Sequence, residues 1–312
     1  MMTNRFMNAA EERDSDPIAL RFRTIAREQP LLREAVAVYE TLLPVLRDAV
    51  YDVIPLAINS AEARASLAKG IPVLGDRKFE FDVDAHRELL IELARTVERT
   101  MNDSEPRGWR PLQRTVQKQS DTAAGRLRRS LEEDRLNIGS LLRHAVSGNQ
   151  KAVTETALEF GLDPDLTWLL LQNSLKPALR VWNQQVAPWI AAVPWRKGIC
   201  PVCGSAATMG ELQGNNQEKH LRCGACGADW TFNRLMCACC GNEDHRTQRY
   251  LAPEGRAGRV RVDTCDRCKG YLKVIAAFSP TPAELVAIED LATSSLDRIA
   301  QEQGYRRMMV PF

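Results

Sequence analysis

All nine cysteines of this chain fall between Cys200 and Cys268, and eight of them form four Cys-x-x-Cys pairs: Cys200/Cys203, Cys223/Cys226, Cys237/Cys240 and Cys265/Cys268. Such clustering is the sequence signature of two tetrathiolate metal sites. Nineteen residues separate Cys203 from Cys223, and twenty-four separate Cys240 from Cys265. Each interval is long enough for one β-hairpin that brings two Cys-x-x-Cys turns together. The spacing therefore predicts two consecutive sites. Cys200, Cys203, Cys223 and Cys226 would form the first, and Cys237, Cys240, Cys265 and Cys268 the second. The alternative is a cross-brace in which the first and third pairs share a metal. The short run of ten residues between Cys226 and Cys237 argues against it.

Three other uses of Cys-x-x-Cys fit less well. A dithiol redox motif opens a helix, whose N-terminus lowers the pKa of the first thiol. Here glycine follows instead, at Gly204, Gly227 and Gly241, and at Gly270 one residue later in the fourth pair. Glycine tolerates positive φ, so the backbone can fold tightly around a metal-bound sulfur. A disulfide framework needs an oxidising compartment, whereas the N-terminus carries no apolar signal segment and the cysteine count is odd. An iron–sulfur cluster could take four thiolates, but regularly spaced hairpin pairs suit mononuclear ions. The ninth cysteine, Cys239, reads as a small, partly buried thiol beside the second site, with substitution for Cys240 as the alternative. His220 and His245 lie near the turns but read as surface or hairpin residues, since eight cysteines already suffice.

The 312 residues imply two or three compact units. No run approaches the ~18–20 apolar residues of a membrane span, and the expected location is the cytoplasm. Met1–Asp16 is polar and reads as a flexible N-terminus. From Pro17 the apolar pattern is helical. A first face collects Leu31, Leu32, Ala35, Tyr39, Leu42, Leu46, Val50, Val53 and Ile54, with Pro44 placed to kink or divide the helix. His86, Leu89, Leu90, Leu93, Val97 and Met101 form a second run, and Leu127, Leu131, Leu136, Leu141 and Leu142 a third. A short helix follows around Val153–Phe160. Asp163-Pro164 is a cap with proline at the first helical position, opening a run from Leu166 through Leu175, Leu179 and Trp182 to Val186. Trp168, Trp182, Trp189 and Trp195 read as core.

The expected order is a helical domain over 17–195, a first metal domain over 196–234 and a second over 235–280. Residues 281–312 form a C-terminal helix and tail. Trp195–Gly198 reads as a linker. Thr208–Leu212 pairs with Lys219–Arg222, Arg246–Leu251 pairs with Arg259–Asp263, and Tyr271–Phe278 closes the sheet. Thr281, Pro282 and Glu284 suggest a capping box for a helix with Leu285, Ile288, Leu291, Leu296 and Ile299 on one face, stopped by Gly304. So small a sheet buries little apolar area, and metal should supply its folding free energy.

A closed tetrathiolate leaves no position for water or substrate, which argues against metal-assisted hydrolysis. The sequence also has no phosphate-binding glycine loop and no Gly-x-Ser-x-Gly elbow. Nucleic-acid binding is the natural test for ribbon-like modules. Residues 198–275 carry eleven Lys/Arg and eight Asp/Glu, a formal +3. Two zinc tetrathiolates would bring this to about −1 and two ferric ones to about +1, so no basic field remains for phosphates. Arg256, Arg259 and Arg261 could form only a local patch.

The chain resembles the family of FdhE, the formate dehydrogenase accessory protein. The motifs are Ile199–Ser205 (ICPVCGS), Leu221–Trp230 (LRCGACGADW), Arg234–Cys240 (RLMCACC) and Thr264–Lys273 (TCDRCKGYLK). Asp290–Ala292, Leu296-Asp297 and Glu302–Tyr305 add to them. Cys239 departs from the family pattern, which leaves ligand choice at the second site open. The resemblance implies a helical domain followed by two rubredoxin-like domains, with two bound metal ions, iron rather than zinc. It implies no catalytic residues. It further implies a maturation factor that contacts the catalytic subunit of formate dehydrogenase; the charge of the metallated module and the lack of a long apolar run argue against nucleic acid and membrane as partners. The alternatives are a zinc-ribbon nucleic-acid-binding protein and a small electron-transfer protein.

Overall fold

The computed structural model describes residues 16–49, 53–75, 81–103, 122–255 and 258–307. The expected flexible N-terminus up to residue 15, Val50 of the first apolar face, Arg256 of the basic patch and the last residues of the tail lie outside them. The chain divides into two compact units.

One unit holds residues 34–54 and 79–178 and is helical. In order come α2 (Arg33–Asp48), α4 (Val83–Asp103), α5 (Ala123–Glu132), α6 (Ile138–Val146), α7 (Gln150–Glu159) and the first part of α8 (Pro164–Ile190). Short polar side chains begin these helices by accepting from orphan backbone donors. Thr122 takes Gly125 N–H at 3.0 Å, Asn137 takes Ser140 N–H at 2.9 Å, and Asp163 takes Leu166 N–H at 2.8 Å. The core is built from Leu42, Leu90, Leu93, Leu131, Ile138, Leu142, Leu170, Leu171 and Leu175, all nearly inaccessible. Arg128 ties α5 to α4 through Glu98 at 2.9 Å and makes an i,i+4 pair with Glu132 at 2.8 Å.

The first apolar face is shorter than the periodicity predicts. The α2 helix starts at Arg33 and continues through Pro44 to Asp48. Leu31 sits in a preceding 3-10 turn, 98% exposed, and Ile54 lies beyond the helix, also exposed. Met101 is exposed at the end of α4 as well. Leu127 to Leu142 is divided between α5 and α6. Among the four tryptophans, Trp182 and Trp195 are buried, whereas Trp168 and Trp189 are half-buried.

The other unit combines residues 16–33, 55–78 and 179–307. It contains α1 (Pro17–Glu28), α3 (Ser60–Ala68) and the second part of α8. Six strands follow: β1 (Met209–Gln213), β2 (Glu218–Arg222), β3 (Asp229–Thr231), β4 (Gln248–Leu251), β5 (Val260–Cys265) and β6 (Gly270–Ala277). They form one sheet in the order β3-β2-β1-β6-β5-β4, with β7 (Arg306–Arg307) also paired to β6. The hairpins β1–β2 and β4–β5 are antiparallel, as the spacing predicts. They are joined by a parallel pairing of β1 with β6, Gly210 opposite Val274. Hence β6 is central and reads as an unbroken run, Tyr271-Leu-Lys-Val-Ile-Ala, with buried positions on both faces.

Behind the sheet the chain makes two helices, α9 (Val286–Ala292) and α10 (Ser294–Glu302), where the sequence suggests one. The capping box does not form. Thr281 lies upstream of the helix and its N–H donates to Glu211 at 3.4 Å, while Glu284 faces Arg180 at 3.9 Å. Tertiary partners thus take both ends of the box. Leu296 and Ala300 pack on Val262 and Tyr271, and Val286 packs on Met209 and Ile275. Lys273 is 1% exposed in its side chain and reaches Asp297 at 2.6 Å and Asp290 at 2.7 Å.

Candidate metal centres

The four turns that carry the cysteine pairs share one backbone plan. In the first, Cys200 N–H donates to Ser205 O at 2.8 Å and Gly204 N–H to Cys200 O at 3.1 Å. The same pair of bonds recurs from Cys223 to Ala228 (3.0 Å) and from Gly227 to Cys223 (3.0 Å), and from Cys237 to Asn242 (2.8 Å) and from Gly241 to Cys237 (2.9 Å). Closing so tight a loop requires positive φ after the second cysteine, and Gly204, Gly227 and Gly241 stand at +80°, +79° and +70°. In the fourth turn the positive φ falls on Lys269, at +55°. Gly270 serves a different need: a Cβ there would stand 2.6 Å from Cys239 Sγ and 3.1 Å from Cys268 Sγ.

These turns bring the eight sulfurs into two groups, each with all Sγ atoms within 4.8 Å of one another: Cys200, Cys203, Cys223 and Cys226, then Cys237, Cys240, Cys265 and Cys268. Neighbouring pairs therefore come together, not the cross-braced first and third. Cys200 and Cys226 lie 3.5 Å apart, as do Cys203 and Cys223; Cys237–Cys268 and Cys240–Cys265 measure 3.8 and 3.9 Å. A tetrahedron with metal–sulfur bonds of about 2.3 Å has sulfur–sulfur edges of about 3.8 Å. The cages fit a tetrahedral ion and are far too wide for disulfides, and all nine cysteines are free.

Electrostatics point to the same conclusion. Burial pushes the Cys200 thiol well above its ordinary value, while hydrogen bonds from Cys200, Cys223 and Cys226 hold Cys203 well below it. In the second group Cys237 is raised, chiefly by Cys239. Burial works to raise Cys265, but backbone N–H donors at Cys268 and Arg267 outweigh it, and the thiol falls to about 7. Four thiols packed this closely cannot all ionise without a counter-charge, and a bound cation supplies one. Backbone N–H groups already aim at the sulfurs: Val202 at Cys200 (3.4 Å), Cys239 at Cys237 (3.3 Å) and Gly270 at Cys268 (3.3 Å). The two groups could each hold one metal ion; thiolate ligands alone do not choose between iron and zinc.

Cys239 stands outside both groups, with its sulfur turned toward Tyr271 O at 3.8 Å. His220 and His245 are outside as well. His220 Nδ1 meets Asp229 at 2.6 Å, which raises its pKa above 6.5, and His245 is exposed in a 3-10 turn.

The surroundings of the two centres differ, and the spacing of the cysteines gives no sign of it. The first is covered on one side by a segment far away in sequence: Val73 N–H donates to Pro201 O at 2.9 Å and Leu74 N–H to Val202 O at 2.8 Å. Pro72 covers Gly204, and Ala283 lies against Gly227. Cys200, Cys223 and Cys226 are buried and Cys203 is partly covered, whereas in the second centre Cys240 and Cys268 are exposed.

A sheet carrying two four-cysteine cages and backed by helices defines a rubredoxin-like or zinc-ribbon-like metal-binding protein. Comparison with known families narrows the class. Residues 199–234 match the family model "FdhE, central domain", and residues 235–312 match "FdhE, C-terminal domain". Over residues 199–312 the chain is similar to the FdhE family. An FdhE homolog of Aquifex aeolicus is 32% identical over 152 residues, covering 47% of this chain and 52% of that one. The homolog of Pseudomonas aeruginosa is 29% identical over 174 residues, covering 53% and 56%. The chain thus spans about half the length of these relatives. The crystal structure of the FdhE protein from Pseudomonas aeruginosa superposes with a TM-score of 0.57 over 93% of both chains at 22% identity, a likeness of fold.

Proposed function

We propose that this protein is an accessory factor needed to make active formate dehydrogenase, and that it acts by docking on the catalytic subunit of that enzyme. The observation that carries the reading is the ordered match of residues 199–312 to both FdhE domain models, with all eight paired cysteines inside it. The eight cysteines would hold one ion per group, iron in the native protein. Each group would fix two turns at the strand ends around one ion.

The chain's own chemistry favours a binding role over turnover. Two groups of four thiolates leave no coordination position for formate. Among the described residues no helix is long and apolar enough to cross a membrane, and the proposed place of action is the cytoplasm. Deleting the gene should abolish formate dehydrogenase activity while the catalytic subunit is still synthesised. The tagged chain should capture that subunit. Full activity in the deletion strain would overturn the assignment.

A further inference from the structure

The unequal cover of the two centres has a chemical consequence. Ligand exchange at a tetrathiolate is associative: an incoming thiolate must approach the ion before an existing ligand leaves. In the first centre the approach is blocked on two sides, by Pro72–Leu74 over the Cys200 turn and by Ala283 against Gly227, and only Cys203 is partly open. In the second, Cys237 and Cys265 face inward while Cys240 and Cys268 are exposed together. These two sulfurs come from different turns, 4.8 Å apart or less. They form one solvent-facing edge of the cage. Their neighbours Gly241, Arg267 and Lys269 are exposed too, so no described segment covers that edge.

We propose that the second centre is an exchange site, which gives up and takes on its metal across the Cys240–Cys268 edge, and that the first centre is purely structural. The proposal rests on the reading of both groups as metal centres. The acceptor or donor it fits is a thiol-bearing one, since a soft thiolate competes best for an ion held by thiolates. In the exchange one metal–sulfur bond forms to the incoming thiolate as the bond to Cys240 or Cys268 breaks. The displaced thiolate then takes a proton from water, and no oxidant or reductant is needed. Inward-facing Cys237 and Cys265 hold the ion until the second displacement. The donors on them remain in place throughout: Cys239 N–H on Cys237 at 3.3 Å and the Asn242 amide on Cys265 at 3.7 Å.

The test uses the full chain loaded with two zinc ions, mixed with excess 4-(2-pyridylazo)resorcinol, which colours as it takes zinc. Iodoacetamide is added in a parallel sample, and alkylated cysteines are mapped by mass spectrometry over time. One equivalent should be lost in a fast phase. Cys240 and Cys268 should be labelled in step with it, while Cys200, Cys223 and Cys226 stay protected until the slow phase. Release of both equivalents in a single phase would overturn the proposal, as would labelling of the first centre's cysteines during the fast phase. A chain that never binds two ions would instead refute the metal-centre reading itself, so the two failures are distinct. The mapping needs no variant and does not depend on a substituted chain folding.

Discussion

At Cys239 and Cys240 two adjacent thiols compete for one ligand position, and geometry separates them. Cys240 lies in the group of four, and Cys239 points away toward the Tyr271 carbonyl. Cys239→Ser should therefore retain two metals per chain, and Cys240→Ser should retain one, as read by elemental analysis of the purified protein. Two ions in Cys240→Ser with one in Cys239→Ser would reverse the assignment. A second residue-scale prediction concerns His220 and Asp229, 2.6 Å apart. The hydrogen bond to Asp229 raises His220 above 6.5. Asp229 is pushed up by burial but brought below its usual 3.8 by His220 and Gln213. A raised histidine stabilises fully below 6.5, and that contribution disappears as pH rises through the folded value. The lowered carboxylate stabilises above 3.8 and loses its contribution in acid. Melting temperature should thus fall on the alkaline side in the wild type more than in His220→Gln. NMR should show the His220 ring titrating above 6.5; a midpoint below it would discard the pair as a stabiliser.

Among the elements, the approach to the first centre is more than a connector. Gly198 reads from sequence as part of a linker, yet it is buried, and a Cβ there would fall 1.8 Å from the Ala238 carbonyl in the second centre's turn. The obstacle is backbone, which cannot swing aside like a side chain. Gly198→Ala should cost at least the ~1–3 kcal/mol of an overpacked site, measured by urea unfolding of the metal-loaded chain; an unchanged midpoint would refute the contact. The fastening of α9 and α10 to β6 gives another test. Lys273 is buried among Asp290 and Asp297, and Tyr271 OH bonds Asp297 at 2.7 Å. Arg307 also pairs with Asp290 at 2.5 Å and Asp297 at 3.8 Å, so Lys273→Ala leaves both carboxylates a partner and should lower stability by roughly 1–3 kcal/mol, read by urea unfolding; an unchanged midpoint would refute the fastening.

For the whole molecule, the prediction is a two-part response to metal removal. The helical unit of residues 34–54 and 79–178 has its own core of leucines and caps. The sheet depends on the two cages, because the strands are short and their turns converge on sulfur. Exhaustive chelation should abolish β-sheet signal and near-ultraviolet signal from Trp230 while most helical circular dichroism survives. Complete loss of helix on chelation would show that the helical unit leans on the metal. Charge makes a further expectation: with the near-neutral formal charge of the metallated module, binding to DNA at physiological salt should be absent. Sub-micromolar affinity with a steep salt slope would contradict it.

The two groups of four cysteines, the hairpins between them and the helical character of the first part were legible in the residues. Spacing, turn glycines and apolar periodicity are local codes, and short-range sterics read them without help. Other features depend on residues far apart in the chain, and no local pattern announces them. The parallel β1–β6 pairing that fuses two hairpins into one sheet is one such feature. The failure of the Thr281/Glu284 capping box, whose ends Glu211 and Arg180 take instead, is another. The same holds for the cover over the first centre, contributed by residues 72–74 from more than a hundred positions upstream. The unequal intervals between the four pairs favoured the grouping that the sulfurs adopt. Only the tertiary structure decided which of them water can reach, because exposure depends on what else the chain lays across each cage.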